Sequence, residues 1–324
     1  MSRSRESRRF ASFAWFVLAY TVLAAVWGAF VRATGSGSGC GNHWPLCNGE
    51  VVPRAPAVAT VIEFTHRVTS GLIGLLVLAL VLWAIRRFGQ YHRVPRAAFA
   101  ALVLTVVEAL IGAALVRFDL VSGNASVLRG SVMAAHLVNT FLLLASLALT
   151  AAWASGVETP RLRGQGLVAW LLAAGLAALC VLGASGAVTA LGDTLFPVAT
   201  LTDDVIRGLS PAARLLVRLR IFHPFLAVGV GAYLAGMAAA VRLLRPDPRV
   251  AKLAVGLAGV FVLQLGAGLL NISLAAPVWL QLVHLGLAYV VWLVTVLFAV
   301  SALADRARAE VLGRATPVAA KAAR

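Results

Sequence analysis

Four histidines, His66, His136, His223 and His284, each stand inside a long apolar stretch. Ionisable groups are costly in such surroundings and usually serve a function there. A single one is commonly a hydrogen-bonding link between helices. Four at repeated positions suit ligation better: two neutral imidazoles take the two axial positions of a haem iron while the porphyrin lies between helices. Zinc fits less well, because neither histidine pair has the cysteine or carboxylate partners of a four-ligand set. Glu63 precedes His66 by three residues, which puts both on one helical face, converging on whatever His66 binds. A carboxylate there can act as a base or stabilise developing positive charge; an ion pair with Arg67 is the plainer alternative. Three residues before His223 stands Arg220, so an acid accompanies only one pair. That asymmetry points to a reactive first site and a resident cofactor at the second.

These residues need helices in a bilayer to position them. The chain has 324 residues, of which 61% are hydrophobic and 12% charged, with a mean hydropathy of +0.91. That is more apolar surface than a soluble core of this size buries. A bilayer core of roughly 30 Å needs spans of about 20 apolar residues. Eight are expected, over residues 11–32, 61–85, 96–117, 131–153, 167–190, 215–241, 251–273 and 278–303. The first follows Arg3, Arg5, Arg8 and Arg9 and is too long for a cleaved signal sequence. The net charge of +16 lies in short basic clusters between apolar runs. Such clusters suit anionic lipid and argue against nucleic acid.

Arg86, Arg87, Arg93, Arg96, Arg161, Arg163, Arg242, Arg245, Arg249 and Lys252 fall in alternate connections, on the side of the N-terminal arginines. The positive-inside rule then places both termini in the cytoplasm and the Cys40 to Cys47 segment outside, in a multi-pass inner (plasma) membrane protein. That segment, from Gly35 to Gly49, is turn-rich and faces an oxidising compartment, so a Cys40–Cys47 disulfide is expected. The bridged loop would lid the outer pocket of the first half; a structural role is the plainer reading and a redox role the alternative. Cys180 lacks a partner and reads as a packing residue. His43 sits in the cysteine loop and His92 in a basic cytoplasmic connection; neither is a candidate ligand.

The chain also repeats itself. Ile62-Glu63-Phe64-Thr65-His66-Arg67 matches Arg220-Ile221-Phe222-His223-Pro224, Ala134-Ala135-His136-Leu137 matches Leu282-Val283-His284-Leu285, and the run from Glu108 to Gly112 matches that from Gln264 to Gly268. The expected architecture is all-α: two tandem four-helix bundles, 1–155 and 156–324, in a parallel pseudo-twofold repeat. All four histidines then lie near the outer ends of even-numbered helices, at one depth. Glu108 is a second embedded carboxyl whose role stays open.

The combination of Glu63-x-x-His66-Arg67, the Gly-rich loop with Trp44-Pro45-Leu46-Cys47, one histidine on each even helix and eight duplicated spans resembles the haem A synthase family, over about residues 11–303. The resemblance implies oxidation of the C8 methyl of haem O to a formyl group, through an alcohol and a gem-diol, giving haem A for terminal oxidases. It implies that His66 and His136 ligate the substrate haem, that Glu63 is required for turnover, and that His223 and His284 ligate a haem b cofactor that passes electrons outward. Cys40 and Cys47 match a loop pair of many bacterial members. Haem O synthase is the implied supplier of substrate. The electron acceptor, and association into a homo-oligomer, are left open. Glu108 departs from the pattern, which would have a glutamine like Gln264.

Other functions account for less. A di-haem membrane cytochrome linked to quinol explains the histidines equally well, but not Glu63 in one half or the cysteine loop. A transporter explains the duplication but would use discontinuous helices and coupling-ion residues. Haem O synthase itself would need aspartate-rich motifs for a prenyl diphosphate, and Asp203-Asp204 is too little.

Overall fold

The computed structural model describes residues 2–161, 163–197 and 208–304. Asp203-Asp204 and the basic tail beyond 304 lie outside these. Among the described residues the regular elements are helical and no strand occurs. The long helices are α1 (Ser2–Ala33), α2 (Val58–Phe88), α3 (Arg93–Arg117), α4 (Val127–Ala154), α5 (Leu167–Leu195), α6 (Pro211–Leu244), α7 (Pro248–Ser273) and α8 (Val278–Ala302). All eight are long and apolar enough to cross a membrane. Large apolar side chains such as Leu23, Leu75, Phe99, Trp170, Phe225 and Leu269 are exposed, as suits a face solvated by lipid.

The helices outrun the expected spans because their ends are set by propensity and capping rather than by hydropathy. Arginine is a good helix former, so α1 begins at Ser2 rather than at residue 11. Ser126 Oγ caps α4 by accepting from Arg129 N at 3.1 Å, and Ser210 Oγ caps α6 by accepting from Ala213 N at 3.2 Å. Asp247 Oδ1 caps α7, accepting from Arg249 N at 2.7 Å and Val250 N at 3.2 Å. Pro211 and Pro248 open their helices, where a missing N–H costs nothing. His92 lies in its polar connection as expected, and its Nδ1 also caps α3, accepting from Val94 N at 3.2 Å.

Consecutive helices pack along the chain. In addition α1 packs on α4, and α5 on α8. Between the first four helices and the last four, contacts run through α4 against α5, α6 and α8, and α1 against α5 and α8. At that seam the Phe141 and Trp292 rings stack with centroids 4.9 Å apart, and Trp292 Nε1 donates to Phe141 O at 2.6 Å. Arg32, in the last turn of α1, reaches over: Nη1 donates to Ala190 O at 2.7 Å and Thr194 Oγ1 at 2.5 Å on α5, and Nη2 to Gln281 Oε1 at 3.0 Å on α8. Between α1 and α2 the chain makes a short 3-10 turn, Ser36–Ser38, and then presses Gly39 onto α2. A Cβ at Gly39 would lie 2.4 Å from Ala59 O, so only glycine permits this approach.

Candidate functional site

The four histidines sit on four separate helices, α2, α4, α6 and α8, each in the first half of its helix. His66 and His136 are close enough for a charge on one to be felt at the other, and so are His223 and His284. Among the described residues no three of His, Cys, Asp and Glu converge as a metal cage.

Three of the four rings rest against glycine on the preceding helix. A Cβ at Gly28 on α1 would stand 2.8 Å from His66 Cε1, one at Gly186 on α5 would stand 3.1 Å from His223 Cε1, and one at Gly268 on α7 would stand 3.0 Å from His284 Cε1. The glycines give the imidazoles their room. Sequence reasoning missed Gly28 and Gly186, although Gly28-Ala29 and Gly186-Ala187 align as the repeat demands. Hydrogen-bonding partners complete each ring's setting. His223 Nδ1 is 2.8 Å from Ser185 Oγ, and His66 Nδ1 is 3.5 Å from Ser70 Oγ, which is a loose contact. His284 Nε2 lies 3.2 Å from Gln264 Nε2, and its Nδ1 has no hydrogen-bond partner among the described residues. His136 Nδ1 lies 3.0 Å from Glu108 Oε1. Within α6, Pro224 follows His223 and removes the N–H that would have bonded the carbonyl of Arg220.

Glu63 is 3% exposed and turns toward the cysteine loop. Its Oε2 accepts from Cys40 N at 2.8 Å, and its Oε1 accepts from Arg67 Nε at 3.1 Å and from Arg67 Nη2. Arg67 Nη1 then donates to His43 O at 2.5 Å and Leu46 O at 2.6 Å. The ion pair with Arg67 is therefore present. Contacts of Glu63 run to the loop, while those of His66 run to Gly28 and Ser70. Cys40 and Cys47 form the disulfide, and both are buried. Thr60 Oγ1 donates to Gly39 O at 2.7 Å, so the bridged loop is fastened to α2 at three successive turns. His43 takes part through its backbone carbonyl, and its ring lies beside Gly41 and Gly49 in the loop. Cys180 is free and half-buried, packed against the core.

Arg220 does not copy the role of Glu63. It bonds Asp193 Oδ1 at 2.7 Å and donates to Phe196 O at 2.5 Å and to Gly192 O, all at the end of α5. Glu63 and Arg220 thus each sit in an ion pair, with Arg67 and Asp193 respectively, while Glu108 lies directly against a histidine ring.

Eight membrane-length helices among the described residues, four of which carry one histidine each, define a polytopic helical membrane protein. Residues 11–296 match the family model described as cytochrome oxidase assembly protein, and the chain belongs to that family. Over 305 residues, or 94% of the chain, it is 55% identical to a protein of Thermus thermophilus named protohaem IX farnesyltransferase, of which the match covers 50%. The chain thus spans about half the length of that relative. Shorter matches include a haem A synthase of Alkalihalophilus pseudofirmus, 45% identical over 91 residues, covering 28% of this chain and 31% of that protein. A haem A synthase of Geobacillus kaustophilus is 44% identical over 108 residues, covering 32% and 34%.

Proposed function

We propose that the chain is a haem A synthase unit that oxidises the C8 methyl of haem O to a formyl group. The observation that carries this reading is the duplicated histidine pair with an acid beside one copy only. Two imidazoles on facing helices, glycines that clear space beside three of the rings, and the unpartnered Nδ1 of His284 suit a porphyrin iron in each half. His66 and His136 hold the substrate haem O, and His223 and His284 hold a haem b cofactor. When bound, haem b supplies one-electron chemistry for carrying electrons away from the substrate.

The chain's own residues do the rest. Glu63 lies one helical turn toward the loop from His66, and Arg67 and Cys40 N hold its carboxylate still. A fixed anion there stabilises cationic character at the methyl carbon or takes its protons. The bridged loop, fastened to α2 beside Glu63, covers this side of the bound substrate and limits water. The architecture is two tandem four-helix bundles in parallel repeat, 1–155 and 156–324, with both termini in the cytoplasm and the cysteine loop outside. It belongs in the inner membrane with lipid as its surroundings.

The farnesyltransferase name of the Thermus relative belongs, in this reading, to the half that this chain does not span. A prenyl diphosphate site needs clustered carboxylates for its metal ion, and among the described residues none cluster. Haem O synthase is then the partner that supplies the substrate. The deciding experiment is to express this chain with a haem O synthase, extract the porphyrins and identify them by mass. Haem A is the expected product; haem O unchanged, with the chain present and haem-loaded, would leave a di-haem cytochrome as the better account.

A further inference from the structure

Glu108 has no part in the function just described, yet it is built into the first histidine pair. It projects from α3 toward α4. Its Oε1 lies 3.0 Å from His136 Nδ1 and 2.5 Å from Thr140 Oγ1, and its Oε2 accepts from Asn139 Nδ2, which also donates to Leu104 O at 3.0 Å. His136 Nδ1 thus stands at hydrogen-bonding distance from the carboxylate, though the contact is not a well-aligned hydrogen bond.

The other half is an internal control. Gln264 stands where Glu108 does, and Leu287 and Ala288 stand where Asn139 and Thr140 do. The neutral amide meets the opposite ring nitrogen, Nε2 of His284, at 3.2 Å. The His284 ring rests on Gly268, whereas a Cβ at Gly112 would meet nothing within 4 Å. The first half therefore places its ring by a carboxylate held by two neighbouring donors, and the second by a neutral amide and a glycine.

We infer that Glu108 is a positioning residue that orients His136 through Nδ1, leaves Nε2 for the iron, and holds the first-site iron at a lower reduction potential than the second. This rests on the ligand assignment proposed above. A carboxylate that accepts from Nδ1–H draws the proton toward itself and raises the electron density at Nε2, so the ring becomes a stronger donor and favours ferric over ferrous iron. Its negative charge in a poorly screened interior acts in the same direction. Asn139 and Thr140 hold the carboxylate in place and temper its pull. The resulting difference makes electron passage from the substrate site to the resident haem run downhill.

The test is a spectroelectrochemical titration of the detergent-purified chain loaded with protohaem. His136→Ala identifies the first-site wave by removing it. Should both waves persist in that variant, the ligand assignment itself fails, and the role of Glu108 with it. With that wave identified, Glu108→Gln is expected to move it to higher potential and leave the other wave in place. Thr140→Val, which frees the carboxylate to bond His136 more strongly, is expected to move it lower, a sign that a merely structural role would not produce. Loss of one wave in His136→Ala, with both haems retained and neither potential moved in Glu108→Gln, would overturn the inference while sparing the ligand assignment. If Glu108→Gln does not retain its haem, an unmoved wave in Thr140→Val overturns it equally.

Discussion

Replacing His223 or His284 with alanine is expected to strip the resident haem from the purified chain while leaving the eight helices intact. Each ring is the one strong ligand that its helix offers at that site. A porphyrin held by one remaining imidazole loses an axial bond and the low-spin spectrum that comes with two. The polypeptide loses little, since a smaller side chain beside Gly186 or Gly268 leaves only a modest void in a region already lined by glycine. The measurement is the reduced-minus-oxidised spectrum per polypeptide, with helix content followed by circular dichroism. At least one of the two haem signals is expected to vanish in each variant, together with haem A production. An unchanged low-spin spectrum would show that these residues do not hold the cofactor.

The second large effect concerns Glu63, where two substitutions separate chemistry from structure. Glu63→Gln keeps an oxygen to accept from Cys40 N but discards the charge. It is expected to retain haem and to lower formyl output by roughly 10²-fold or more, the usual worth of a positioned acid or base. Glu63→Ala also leaves Arg67 without its partner at a site that is nearly closed, an arrangement that costs roughly 3–5 kcal/mol when a buried pair is broken. That variant is expected to loosen the cysteine loop as well, visible as faster cleavage by added protease between α1 and α2. Mass identification of the extracted porphyrins reads the first effect in both. Normal haem A output from Glu63→Gln would remove the residue from the chemistry and leave it as the anchor of the loop.

Much of this arrangement could be read from the amino acids. Lipid imposes a long apolar run on every span, so the eight helices announce themselves; the histidines stand out because imidazole is costly in such runs; and Cys40 and Cys47 declare a bridge within a turn-rich segment. What hid from that reading depends on how one helix is rotated against another. Glu108 and His136 lie on different helices, and no spacing along the chain brings them together. Gly28 was passed over because glycine in an apolar helix carries no sign of what rests on it until the ring of His66 is in place. Glu63 shows the division well. Its pairing with Arg67 is one turn along a helix and was foreseeable, whereas its acceptance of the Cys40 amide depends on the path of a loop.

Arg32 gives the duplication a consequence for how such a protein can evolve. Its guanidinium starts in the first repeat and spends its hydrogen bonds on the second, at Ala190, Thr194 and Gln281. Either repeat alone would present lipid with a cation or with stranded acceptors. Carrying both sets of helices on one polypeptide keeps that cation and its acceptors matched.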